Sequence, residues 1–84
     1  MTDHILTKKL LKEKAKTKRQ LRTLLDEALL TAREREIVEM IYLQHKSLDV
    51  IADVLGYAES TVRLKHRQAL RKIKYVFDEK DGQQ

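Results

Sequence analysis

An all-α fold of four helices is what this sequence predicts, and three observations predict it. Proline is absent and only two glycines occur among 84 residues, too little punctuation for a turn-rich β fold. Apolar residues recur at intervals of three and four, the period of a helix face. Helix-start signals also stand ahead of the apolar runs, with Thr31 three residues before Glu34 and Ser47 directly before Leu48.

Residues 4–29 form the first predicted helix, long and basic, made of Leu, Lys, Ala, Arg, Glu and Gln, which lose little freedom in a helix. Its apolar stripe thins between Lys12 and Gln20, where only Ala15 is apolar, so the first half is expected to be solvated or to need a partner. The stretch from Leu21 to Leu30 is apolar enough to pack on the rest of the chain. Thr31 and Glu34 fit a capping box that opens the second helix, expected to run to about Gln44. Its run from Ile37 to Leu43 is apolar almost all round, the mark of a helix covered on more than one side.

His45 and Lys46 make a short connection, Ser47 is the expected N-cap of the third helix, Leu48 to Leu55, and Asp49 suits the positive end of its dipole. Gly56 ends that helix, where a left-handed backbone is often needed. The fourth helix starts near Glu59 and is expected to reach about Phe77, with Val62, His66, Ala69, Leu70, Ile73, Val76 and Phe77 inward. Three parts follow: a basic N-terminal helix at 1–29, a helical domain at 30–77 and a polar, frayed tail at 78–84.

Charge is distributed in blocks. The net of +5 divides into +6 over residues 1–22, −4 over 23–58, +5 over 59–77 and −2 over 78–84. Two basic blocks around an acidic middle favour a polyanionic partner. The absence of cysteine excludes disulfides and thiol chemistry. No apolar run reaches signal-peptide or membrane-spanning length, so no membrane partner and a cytoplasmic location are expected. His4, His45 and His66 are scattered, and neither a catalytic triad nor a glycine-rich phosphate loop is present. No catalytic residue, metal ligand or cofactor is therefore expected.

The segment Leu48 to Arg67 reads as two short helices joined by a tight turn. Leu48, Ile51, Leu55, Tyr57 and Val62 supply its apolar contacts, and Ala52 and Gly56 are small where two helices would cross closely. That is the layout of a helix-turn-helix, whose second helix enters the DNA major groove. By helical geometry Ser60, Arg63, Leu64, Arg67 and Arg71 lie opposite the inward stripe.

The residues around this segment narrow the reading. Leu30-Thr31-Ala32-Arg33-Glu34-Arg35-Glu36-Ile37 opens the domain, and Gln68-Ala69-Leu70-Arg71-Lys72-Ile73 closes it. With Ser47-Leu48, Ile51-Ala52, Leu55-Gly56 and Thr61-Val62-Arg63 between them, residues 30–74 resemble region four of the bacterial sigma-seventy family. Response-regulator output domains share the opening and the Ser60-Thr61-Val62 run, and are the nearest rival. No room remains for the promoter-melting region two, so a complete sigma factor is not expected. The chain is similar instead to small phage and mobile-element transcription regulators with a basic leading helix.

The resemblance implies a sequence-specific DNA-binding transcription regulator. It implies base contacts from Glu59, Ser60, Arg63 and Leu64, with Arg63 matched to guanine and Leu64 to a thymine methyl. Lys46, Ser47, Thr61, Lys65, Arg67 and Arg71 are candidates for the DNA backbone, which positions the protein without specifying sequence. Three residues depart from the family. Ala58 stands where a Ser or Thr cap is usual, Leu64 replaces a polar residue, and His66 replaces an apolar one. The helix must then start on Glu59 or on a cap shifted to Ser60, the target should differ from a standard minus-35 element, and His66 is expected to be a tolerated, partly buried histidine.

Two other readings remain open. The domain could act as an interaction module for RNA polymerase, a sigma factor or an anti-sigma partner, through an acidic face at Glu36, Glu39, Asp49 and Asp53. It could also mark DNA for phage packaging. Leu6, Leu10 and Leu11 could form the seam of a homodimer, fold back on the domain, or lie along phosphates with the lysines.

Overall fold

The computed structural model describes residues 8–9, 11–13 and 16–82, with side chains as far as residue 79. It is built of helices: α1 at Lys18–Ala28, α2 at Ala32–Tyr42, α3 at Leu48–Leu55 and α4 at Glu59–Gly82. Residues 8–9 and 11–13 ahead of α1 are helical as well.

The leading helix is not continuous, in contrast to the sequence expectation. Thr17 is extended, with φ −113° and ψ 159°. Its hydroxyl accepts from the Gln20 amide at 3.1 Å, and the Gln20 side-chain oxygen accepts from the amides of Thr17 and Lys16 at 3.3 and 3.0 Å. This capping box satisfies amides that would otherwise be orphaned at a helix start, so a new helix begins at Lys18. The Thr-x-x-Gln spacing of Thr17 and Gln20 is the sequence signal for this cap.

Leu29 closes α1 in the left-handed region, with φ 55°, and its amide bonds to the Asp26 carbonyl. Thr31 then opens α2 as its residue type predicts. Its hydroxyl accepts from the Glu34 amide at 3.2 Å, and the Glu34 carboxylate accepts from the Thr31 amide at 2.9 Å. Lys72 of α4 donates to the same carboxylate oxygen at 2.7 Å, so one side chain caps α2 and ties it to α4. Burial, the largest single influence, pushes the Glu34 carboxyl up. The Lys72 ammonium and the Thr31 amide and hydroxyl outweigh it and hold the carboxyl below its ordinary range.

Two apolar clusters divide the core, and α2 lies between them. Ile37 and Met40 pack with Ile51, Ala52 and Val62 of the helix pair α3–α4. Val38, one residue along, packs instead with Leu21, Leu24, Leu25 and Ala28 of α1 and with the distal part of α4. The all-round apolar pattern of α2 has this cause: α3 and the start of α4 cover one side, and the distal part of α4 together with α1 covers the other. Arg35 adds a polar clasp, bonding Asp26 of α1 and Glu39 of its own helix.

The predicted inward stripe of α4 is buried throughout, from Val62 to Phe77. The helix runs on to Gly82, past the expected end near Phe77, and a Lys74–Asp78 ion pair at 2.7 Å spans the point of extension. Leu11 is 2% exposed within the α1 cluster. It is therefore used inside the chain's own core and is not free for a dimer seam; Leu6 and Leu10 lie outside the described residues.

Candidate nucleic-acid interface

The turn that sets α3 against α4 is built from three residues. Gly56 caps α3 with φ 75° and ψ 28°, and the Gly56 and Tyr57 amides both bond to the Ala52 carbonyl. A Cβ at Gly56 would meet nothing within 4 Å. The glycine thus answers to the left-handed backbone and not to a close helix crossing, as its small size had suggested. Ala52 is buried in the crossing. The amides of Thr61 and Val62 bond to the Ala58 carbonyl at 3.0 and 3.2 Å, so α4 starts at Glu59 with no shift to Ser60.

Tyr57 in the turn is flanked by two cations. The Arg33 guanidinium lies 5.3 Å and the Lys65 ammonium 5.8 Å from its ring centroid. This contact anchors the turn to α2, and nothing in the linear pattern singled it out.

The outward face of α4 is as geometry predicted. Glu59, Ser60, Arg63, Leu64, Arg67 and Arg71 are all exposed, and Leu64 retains 48% exposure, a large value for a leucine. The Arg63 guanidinium donates to Glu59 at 2.8 Å. Both side chains are solvated, so the pair holds them in register at little energetic depth and can be exchanged for other partners.

Lys65 and Thr61 are half-buried and belong to the opposite flank of the helix from Arg63. Two residues are about 200° apart around a helix, and Lys65 accordingly sits by Tyr57. Lys46 and Ser47, at the start of α3, lie on the Arg63 side. Leu48 beside them lines a cavity of about 250 Å³ shared with Arg63 and Arg67. Ser47 makes no side-chain cap to its helix; its hydroxyl, with the Val50 amide, holds the Asp49 carboxyl below the ordinary range.

His66 is 8% exposed beneath this surface, and its Nε2 lies 3.1 Å from the Tyr42 hydroxyl. Burial pushes the Tyr42 phenol up to about 12. The departure from an apolar residue at His66 is accommodated by a polar partner on α2, as a buried imidazole requires.

The expected acidic face is thinner than its sequence suggests. Glu36 pairs with Arg33 at 3.2 Å, and Glu39 with Arg35 at 3.2 Å. Asp49 and Asp53 remain exposed on α3, beside the exposed Val50 and Val54. No group of His, Cys, Asp or Glu among the described residues could hold a metal ion. Among the same residues no helix is long and apolar enough to cross a membrane.

The comparison with known families decides what this arrangement is. The family described as Sigma-70, region 4 matches residues 28–75, more than half of the chain. The chain belongs to the sigma-70 region 4 family. No curated protein and no solved structure matches it significantly. The sigma-70 region 4 domain is a DNA-binding helix-turn-helix and not an enzyme family. In this sigma-70 region 4 domain α3, the Gly56–Ala58 turn and the start of α4 make that helix-turn-helix. The match takes in the end of α1 and the whole of α2, the helix that braces both.

Proposed function

We propose that the domain is a sequence-specific transcription regulator that sets the start of α4 into the major groove of double-stranded DNA. One observation carries the reading. The face of α4 bearing Ser60, Arg63, Leu64, Arg67 and Arg71 is exposed, while the opposite face is buried from Val62 to Phe77. A helix held so, at the edge of a rigid domain, fits a groove about 12 Å wide.

In this reading Arg63 donates to a guanine edge, Glu59 accepts from a cytosine amino group, and Ser60 and Leu64 meet neighbouring base edges. The two flanks of α4 then face two strands. Lys46, Ser47, Arg67 and Arg71 serve one phosphate backbone, and Thr61 and Lys65 the other. The exposed Glu59–Arg63 pair opens on binding, each partner taking a base group in exchange.

Selection of bound duplexes from a random pool at a stated salt concentration tests the proposal. An enriched motif is expected. Retention of no sequence above the starting pool would overturn sequence-specific regulation.

A second reading has one observation in its favour. Val50 and Val54 are 43% and 60% exposed beside Asp49 and Asp53, an apolar and acidic strip suited to RNA polymerase or to a sigma or anti-sigma partner. Loss of a polymerase-dependent gel shift on Val54→Lys, with free-DNA binding unchanged, would favour it.

A further inference from the structure

The helical segment ahead of α1 brings its lysines to the side of the domain that carries Arg63. Leu11 anchors the segment in the core with Leu21, Leu70 and Phe77. Lys8 and Lys12 are exposed and stand four residues apart, so they share one face of the segment. Both line a cavity of about 540 Å³ with His45, Lys46, Ser47 and Leu48. Lys8 also lines the adjoining cavity with Arg63 and Arg67.

Five cations from three parts of the chain therefore surround two neighbouring hollows: Lys8, Lys12, Lys46, Arg63 and Arg67. Among the described residues no Asp or Glu lines either one. Arg63 has Glu59 as a solvated partner on its own helix, but like charges gathered around the two hollows still repel one another, and nothing in the apolar packing requires lysine at exposed positions 8 and 12. A polyanion laid across them removes the repulsion, and the surface is continuous with the exposed face of α4. We infer that Lys8 and Lys12 grip the DNA phosphate backbone on the Lys46 side of α4, lengthening the footprint beyond the helix-turn-helix. The inference rests on the DNA-binding reading above, and its test separates the two.

Full-length protein would be titrated by fluorescence anisotropy, over a range of salt, with a duplex enriched from a random pool and a random duplex of equal length. Two lost phosphate contacts should flatten the slope of log K against log salt by about 1.8. The Lys8→Ala, Lys12→Ala double variant should therefore bind both duplexes at least about tenfold more weakly at 0.1 M salt. Lys8→Arg, Lys12→Arg should retain the wild-type slope. Lys9→Ala is the control, because Lys9 is exposed on the same segment and lines neither cavity; it should change the slope much less.

An unchanged slope in the double Ala variant, with Arg63→Ala still losing site preference, would overturn the lysine grip and leave the DNA reading intact. Equal losses for Lys9→Ala and Lys8→Ala would also overturn it, leaving only a general charge effect. Wild-type protein that binds neither duplex would sink both, and retention on vesicles of anionic lipid in that case would show that the basic surface serves a membrane. Far-UV circular dichroism of each variant checks the fold, and Lys8→Gln, Lys12→Gln replaces the Ala pair if helicity falls.

Discussion

Arg63 and Lys65 are two positions apart and carry the same charge, yet the fold gives them different surroundings. Arg63 stands on the open face with Glu59, whereas Lys65 is half-buried against Tyr57 on the other flank. Arg63→Ala should cost about 1–3 kcal/mol on an enriched site and relax the base preference there. Lys65→Ala should weaken enriched and random duplexes alike. Equal losses on both duplexes for both variants would remove the base-reading role of Arg63. Backbone conformation gives a second residue-scale contrast. Gly56→Ala should cost about 1 kcal/mol through the left-handed backbone alone, because its Cβ would touch nothing. Leu29→Gly should stabilise by up to about 1 kcal/mol, since Leu29 holds φ 55° while 82% exposed. Urea midpoints moving in the same direction for both variants would contradict that account.

At the scale of elements, the caps decide where helices begin, and one cap also carries a charge effect. The unfolded Glu34 carboxyl titrates near 4.5 and the folded one lower. A depressed carboxyl contributes stability that is fully present above its unfolded value and is lost as pH falls through its folded value. Glu34→Gln keeps an oxygen for the Thr31 amide but removes the charge facing Lys72. It should therefore be less stable than wild type at neutral pH, and the difference should shrink as pH falls below about 4.5. A difference constant across pH, measured by urea unfolding, would show that the Lys72 ion pair contributes nothing.

For the whole molecule, α2 is the shared wall of two clusters. Ile37 and Val38 are both fully buried, and each faces a different cluster. Ile37→Ala and Val38→Ala should each cost about 2–4 kcal/mol. Because one helix serves both clusters, each variant should unfold in a single transition, with coincident midpoints by circular dichroism and tyrosine fluorescence. Separate midpoints would mean that α1 and its cluster melt apart from the helix-turn-helix. That coupling matters for the site: the same core that seats Leu11 also holds the distal part of α4.

What the sequence determined by itself was set by local rules. Period and capping chemistry act over a few residues, so the Thr31–Glu34 box, the bounds of α3, the Gly56 cap and the inward stripe of α4 were legible, as was the outward row from Ser60 to Arg71. The Thr17–Gln20 cap obeys the same rules and was there to be found. Only the tertiary structure decided the rest. Whether Leu11 pairs with another chain or folds back, whether Glu36 and Glu39 remain free, which flank Lys65 takes, and that Lys8 comes alongside Arg63 all depend on residues distant in sequence. Charge and spacing carry no information about which remote groups meet, because packing and ion pairing are settled only when the helices close on one core.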